Sequence, residues 1–322
     1  MDQITSQPPL SALRHDERFD GILLVKSADV KTTSAQKNYL DMTLADRTGS
    51  INAKFWDGTK TPPPMGSVIQ VRARGNEYNG RLQLRLEQFS VVRDTNQIDM
   101  NLLIPCAPEP PASMLSEIQR AADQIQDQDL RLLTCRLLDK AGEALLTHPA
   151  AKQMHHAERS GLLHHTLSML RAVKALLPVY PQLNPSLLIA GVIVHDLAKI
   201  DEMQADKNGF VSDYTLDGKL IGHIIRGVVH IEEAGREVGA NPNKVLLLEH
   251  MILAHHGLAE YGSPKPPMFP EAEVLHAIDT LDAKLNEMDD ALTRAVPGGF
   301  SEKIWGLDNR QIYRIPEEDL TR

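Results

Sequence analysis

The feature that most restricts what this chain can fold into is an apolar run that ends abruptly in charge. Leu187, Leu188, Ile189, Ala190, Val192, Ile193 and Val194 present no polar face, and then come His195, Asp196 and, a turn later, Lys199. A stretch that is apolar on every side predicts a buried helix, not one lying on a surface. An imidazole and a carboxylate at the end of such a helix are costly unless compensated, and a metal cation is the commonest compensation. Successive helix positions point about 100° apart, so His195 and Asp196 cannot aim at one spot on the helix line. They can straddle a metal cluster beside it, with Asp196 placed to bridge two ions and His195 to hold one.

Further ligands must arrive from elsewhere, and candidates recur at helix-length intervals: His165, His223, the doublet His255 and His256, and Asp279, with Asp282 as an alternative last ligand. Apolar periodicity predicts helices over 162–177, 187–200, 219–238, 245–256 and 271–288, so every candidate sits on or at the end of one. Ser113 is the expected N-cap of an earlier helix, with Glu117 in its first turn. The proline-rich GSPKPP is expected at the rim of the site. Imidazoles and carboxylates without thiolates suit borderline-to-hard divalent ions and disfavour structural zinc, so the expected cofactor is a pair of divalent cations, Mn²⁺ first, with Fe²⁺, Co²⁺ or Mg²⁺ open. Ions so held lower the pKa of water and stabilise charge on a phosphoryl group. Lys199 is read as contacting a substrate phosphate, the alternative being an ion pair with Asp196. His156 is read as lining the pocket, as are His155 and His164, whereas His230, His250 and His276 are read as structural.

Ahead of this helical region the pattern changes. GILLV, YLDMTLAD, SINAKFWD, SVIQVRARG and RLQLRLEQFSVV are strand candidates separated by turn formers. Five short strands in about 75 residues with no long helix predict a small closed barrel of OB type. Residues 1 to about 15 are expected to be a loose lead-in, and consecutive prolines make 95–112 an extended linker. The predicted division is a barrel over 16–94, a helical domain over 113–300 and a tail over 301–322. The fold class is thus multidomain α and β.

Residues 17–100 carry 12 Lys and Arg against 10 Asp and Glu in a chain of net charge −9, so the barrel is the one basic region of an acidic protein. Period-2 alternation puts Arg72, Arg74, Arg81 and Arg85 on its outer face. Trp56 and Tyr78 are candidate base-stacking groups with them, and Tyr39 is a further aromatic nearby, while Phe55 and Phe89 are also read as core. Cys106 and Cys135 have no metal-type spacing and are read as reduced thiols of a cytoplasmic protein. The N-terminus lacks a secretory pattern, and the apolar runs fall short of the roughly 20 residues that cross a bilayer, so no membrane partner is expected.

The order H, HD, H, HH, D resembles the HD-domain metal-dependent phosphohydrolases. With the barrel in front, and through MHHAERSGLLHHT, LLIAGVIVHDLAKI, YTLDGKLIGHI, LAHHGLAEYGSPKPP and LHAIDTLDAK, the chain resembles the YhaM-type 3′-5′ exoribonucleases from about Phe19 to Ala283. The resemblance implies that His165, His195, Asp196 and Asp279 hold one ion, and that Asp196, His223, His255 and His256 hold the second. Superfamily members with one metal do without the residue matching His256. The resemblance further implies hydrolysis of single-stranded RNA, with single-stranded DNA also open, from the 3′ end to nucleoside 5′-monophosphates; a homo-oligomer stays open as a separate reading. One departure is that His164 stands where the family usually has glutamate. Two other readings stay open at the level of residues: a small-molecule nucleotide phosphodiesterase or nucleotidase with a regulatory barrel, and a non-catalytic nucleic-acid-binding protein.

Overall fold

A computed structural model describes residues 7–33, 35–78, 81–94, 98, 100–151, 156, 158–206 and 209–319, with the side chains at 81, 101, 212 and 294 excepted. The chain divides into two compact units, Met1–Cys106 and Ala107–Arg322.

In the first unit β1 (Arg18–Thr32), β2 (Asn38–Asp46), β3 (Gly49–Phe55), β4 (Val68–Tyr78) and β5 (Arg81–Val91) close into a barrel in the order β1-β2-β3-β5-β4. The strand pairings are antiparallel apart from β3 with β5, which is parallel. Closure depends on β1, whose first half pairs with β4 and whose second half pairs with β2, with a register shift between Val25 and Ser27 where the strand changes partner. Bulges of this kind bend a strand enough to turn a sheet back on itself. Alternation then sends Phe19, Leu23, Leu40, Met42, Leu44, Ile69, Val71, Ala73, Leu84 and Leu86 inward. Phe55 and Phe89 join that core, edge to face at 5.1 Å between ring centres.

The lead-in departs from expectation. Leu10 and Leu13 are buried in the barrel core, and the amide of Leu10 donates to the buried carboxylate of Asp46 at 2.7 Å. A carboxylate that also accepts from Thr48 in the β2–β3 turn gains enough hydrogen bonds to be buried there. The part of the lead-in from residue 7 onward is therefore built into the barrel, and residues 1–6 lie outside the described residues.

The second unit contains α1 (Pro111–Asp123), α2 (Gln128–Ala141), α3 (Gly161–Leu176), α4 (Pro185–Val194), α5 (Lys199–Glu202), a hairpin of β6 (Met203–Ala205) and β7 (Val211–Tyr214), α6 (Leu216–Leu220), α7 (Gly222–Val238), α8 (Pro242–Ala254) and α9 (Pro270–Arg294). Local chemistry sets several starts: Asn184 and Asn241 cap α4 and α8, each followed by a proline that has no amide proton to lose. Helix α1 begins at Pro111 without a side-chain cap, so Ser113 lies inside its first turn and is not the cap. Helix α4 sits at the centre, packed against α1, α2, α3, α8 and α9. That explains its apolar circumference. At Gly191 an added Cβ would lie 2.4 Å from the methyl of Met251, so α8 approaches as closely as a missing side chain permits.

Two helices end or begin differently from their sequence pattern. The helix expected over 187–200 stops at Val194 and resumes at Lys199, which leaves His195 and Asp196 on a turn. The one expected from 219 is split between α6 and α7 at Gly222, where φ is +78°. Beyond α9 the final residues are not a bare tail, since Phe300 bridges Tyr313, Ile304 bridges Arg310, and Leu307 is fully buried. None of the described helices is long and apolar enough to cross a membrane.

Candidate functional site

Helix α3 supplies His165, the turn after α4 supplies His195 and Asp196, the first turn of α7 supplies His223, the end of α8 supplies His255 and His256, and α9 supplies Asp279. The structure brings all of them together. Each imidazole is held from behind through Nδ1. His195 donates to the carbonyl of Val192 at 2.8 Å, His255 to that of Ile252 at 2.6 Å, and His256 to that of Tyr261 at 2.7 Å. A carbonyl can only accept, so these Nδ1 atoms carry the protons and Nε2 presents its lone pair inward. His165 and His223 are held instead by carboxylates, Asp282 at 2.7 Å and Glu202 at 3.0 Å. This backing fixes tautomer and ring orientation in the manner of metal-ligating histidines.

The inward atoms fall into two trios, His165 with His195 and Asp279, and His223 with His255 and His256, the donor atoms of each lying within 4.8 Å of one another. Asp196 stands between them. Its Oδ2 lies 3.4 Å from His195 Nε2 and 3.8 Å from His165 Nε2, while its Oδ1 lies 3.5 Å from His223 Nε2 and 3.7 Å from His255 Nε2. Asp196 Oδ1, His223 Nε2 and His255 Nε2 are buried with no hydrogen-bond partner among the described residues. Leaving three such atoms unsatisfied would cost several kcal/mol, and a divalent cation on each side of Asp196 would remove that cost. The residues thus fit a metal pair.

Electrostatics agree. Burial raises the Asp196 carboxyl, but Lys199 and His195 outweigh it and hold the group well below the usual carboxylate range. Burial lowers His165, yet Asp279 and Asp282 override it and push the imidazole up to about 9. His256 goes the other way, to about 3, through burial and the neighbouring His255. The Asp279 side therefore attracts positive charge, and the His256 side offers neutral nitrogen.

Other residues fall away from their readings. Lys199 Nζ sits 2.6 Å from Asp196 Oδ2, so the arrangement present is the ion pair and not a free phosphate contact. His156, read as lining the pocket, is buried behind His165, with Nε2 on Asp282 at 2.8 Å. Asp282 is on the Nδ1 side of His165, so Asp279 and not Asp282 faces the centre. His155 lies outside the described residues. His276 supports the carbonyl of His255, and His250 accepts from the amide of Met268, both structural. The loop carrying Tyr261 and Ser263 braces His256. Sequence reasoning missed Glu202, Glu158 and Asn286, since acidic or amide residues a few positions from a ligand are too common to be a signal.

On the barrel, strand register adds what alternation could not. Lys54 is opposite Arg85, Arg85 opposite Arg74, and Arg74 opposite Arg18, so four cations lie side by side on β3, β5, β4 and β1. Beside Lys54, the rings of Tyr39 and Trp56 stack at 4.9 Å, and Trp56 is 55% exposed. Arg72 pairs with Asp20 at 3.3 Å, whereas Arg85 has no acidic partner among the described residues. Tyr78 is exposed at the end of β4, and the side chain of Arg81 lies outside the described residues.

Comparison with known proteins returns the HD domain over residues 162–284. The chain is 40% identical over 304 residues to the 3′-5′ exoribonuclease YhaM of Shouchella clausii, covering 94% of both chains. It is 38% identical over 302 residues to the protein of that name from Bacillus subtilis, covering 92% of this chain and 95% of that one. The second OB-fold domain of replication protein A from Methanococcus maripaludis overlaps 28% of this chain and 97% of its own, at 15% identity and a TM-score of 0.24.

Proposed function

Since the chain belongs to the family of YhaM 3′-5′ exoribonucleases, we propose that it is a metal-dependent hydrolase that removes nucleotides from the 3′ end of single-stranded RNA. The observation that carries this reading is the division of the Asp196 carboxylate between two trios of inward-facing donors. His165, His195, Asp196 and Asp279 would hold one divalent cation, and Asp196, His223, His255 and His256 the other. Manganese is the first candidate, with iron, cobalt and magnesium as alternatives, for a set of five imidazoles and two carboxylates that contains no thiolate. Such cations, when bound, acidify water and offset the charge that develops on a phosphoryl group.

The chain's own residues do the rest. Asp282, Glu202 and three backbone carbonyls lock the imidazoles in one tautomer, so the donor atoms need no rearrangement when the site fills. Lys199 Nζ lies 2.6 Å from Asp196 Oδ2. With divalent cations held on Asp196, its ammonium would be placed to meet a substrate phosphate. On the barrel, Arg18, Arg74, Arg85 and Lys54 follow a backbone of phosphates, while Tyr39 and Trp56 offer a stacking surface to bases.

A cytoplasmic location is part of the same proposal, because RNA substrate is plentiful there. Self-association is also proposed, because Phe300 and Trp305 expose large aromatic faces in the second unit. Sedimentation at several concentrations measures it.

The experiment is incubation of 5′-labelled single-stranded RNA with the protein and Mn²⁺. A ladder of labelled products shortening from the 3′ end is expected, with nucleoside 5′-monophosphates released. Intact RNA alongside hydrolysed free nucleotides would overturn the proposal in favour of a small-molecule phosphodiesterase.

A further inference from the structure

Behind the pair of trios lies another convergence of donors that the metal pair leaves unused. His156 Nδ1 is 3.2 Å from His164 Nδ1, His164 Nδ1 is 2.6 Å from Glu158 Oε1, and His156 Nδ1 is 3.7 Å from the same oxygen. With no ion bound, one proton on His164 Nδ1 can be shared between Glu158 Oε1 and His156 Nδ1, and Asn286 Nδ2 lies 3.5 Å from the latter. Without that proton the same three atoms turn lone pairs toward one point, as the donors of a cation site do. A triangle of this size admits a point about 2.1 Å from every corner, just off its plane, which is the length of a metal bond to imidazole or carboxylate.

The surroundings look built to hold that geometry. His156 has φ of +51°, a conformation L side chains seldom adopt. Such strain persists only where neighbours over-determine it. Here the amide of His156 donates to Asn286 Oδ1 at 2.9 Å, its carbonyl accepts from Ala150 at 3.1 Å, and a Cβ at Gly161 would come within 2.0 Å of that carbonyl. The ring is backed through Nε2 by Asp282 at 2.8 Å, as His165 is through its own Nδ1. A carboxylate behind the far nitrogen is the backing that raises the basicity of a ligating histidine. His164 comes from the first turn of α3, one residue before His165, and its side chain and that of Glu158 are 24% and 19% exposed. Water can therefore reach the open side of the trio and complete a coordination shell.

We propose that His156, Glu158 and His164 form a third divalent-cation site, separate from the two that share Asp196. Two imidazoles and one carboxylate, with open positions toward water, favour a late or middle first-row ion such as Zn²⁺, Co²⁺ or Fe²⁺ over Mg²⁺, which prefers oxygen donors. Asp282 connects this site to the centre, since one carboxylate oxygen receives both His156 Nε2 and His165 Nδ1. Filling the third site thus anchors the ring that holds Asp282, and through it the orientation of His165. The ion's place is that of a brace for the centre.

The test is a cobalt(II) titration of the full chain after exhaustive chelation, read by visible absorption and by elemental analysis of the saturated protein. Three equivalents are expected in the parent chain and two in both Glu158→Gln and His164→Ala. Asp196→Ala is expected to keep one. Glu158→Gln is isosteric and at a partly exposed position, so it carries the test if His164→Ala fails to fold by circular dichroism. The same number of equivalents in the parent and the Glu158 variant, whether two or three, would overturn the third site. One equivalent in the parent that is lost in the Glu158 variant would uphold it and overturn the metal pair instead, so the two readings fail separately.

Discussion

The two units of this protein handle charge in opposite ways. On the barrel most of the cations are exposed, and each is partly countered or free in water: Arg18 and Arg72 by Asp20, Arg74 by Asp16 and Glu87, the half-buried Lys54 by Asp41, Arg85 by nothing among the described residues. At the candidate site of the helical unit the titratable groups are buried or nearly so, and each imidazole is held through a carbonyl or carboxylate at its back. Exposed charges act by summation and are screened by salt, so no single one is decisive. Buried ones act as a set, since removing a member strands its partners. The first arrangement suits recognition of a repeating polyanion, the second a site where chemistry happens at one point.

The sharpest way to break that contrast is Asp196→Ala, which removes both shared oxygens at once. Turnover on RNA is expected to fall by at least about a thousandfold, while oligonucleotide binding by the barrel, read by fluorescence anisotropy, stays within a factor of about two. Activity at parental level would end the view of the helical unit as an all-or-none set. Next in size is chelation. Stripping divalent cations from the parent chain is expected to lower the melting temperature of the helical unit by about 5 °C or more, with recovery on adding Mn²⁺, because a ligand that binds only the folded state stabilises it. A barrel transition that moves equally in calorimetry would contradict the separation.

Asp282→Asn sharpens the contrast from inside the site. It keeps the shape but weakens the hold on His165, and about a 10- to 100-fold loss of metal affinity is expected by titration. On the barrel the changes are smaller. Arg85→Ala is expected to weaken single-strand binding a few-fold and to flatten the slope of log affinity against log salt by about 0.7, the value of one phosphate contact on a single strand. Arg72→Ala should do less, because Asp20 already engages it, and hydrolysis of a dinucleotide should be unaffected by either. A larger effect from Arg72 would show that the row defined by register is not the track.

The smallest effect concerns the barrel's own stability. Burial raises the Asp41 carboxyl, but hydrogen bonds from Lys31, Asn52 and Lys54 prevail and hold it at about 2. A depressed carboxyl contributes stability above its ordinary value of 3.8 and loses it as pH falls through the folded value. Asp41→Asn should therefore melt below the parent at pH 7, and the gap should close between about pH 5 and pH 2. A gap independent of pH would leave the ion pairs without a role.

Much of the candidate site is legible in the order of residues alone. Histidine and aspartate at helical spacing, ending apolar runs that have to be buried, carry their own constraint, because burying such groups without a shared purpose is too costly. Hence His165, His195, Asp196, His223, His255, His256 and Asp279 can be named in order, and strand alternation marks out the barrel and its inward faces. What the order of residues leaves open has a common cause. Nearness along the chain suggests a role for His156, Lys199 and Asp282, whereas their roles depend on which side of His165 or Asp196 they approach. Nothing in the sequence encodes that approach.

By itself, then, the order of residues determined which side chains could be afforded in a buried interior and which strands could alternate, since both follow from local periodicity and the cost of desolvation. Only the tertiary structure decided that α4 stops at Val194 so that Asp196 stands between two trios, that Asp279 faces inward while Asp282 stands behind, and that Lys54, Arg85, Arg74 and Arg18 line up across four strands. Those are facts of direction and register between segments far apart in the chain. They are settled by how the helices and strands pack, because packing selects among approaches that local sequence leaves equal in energy.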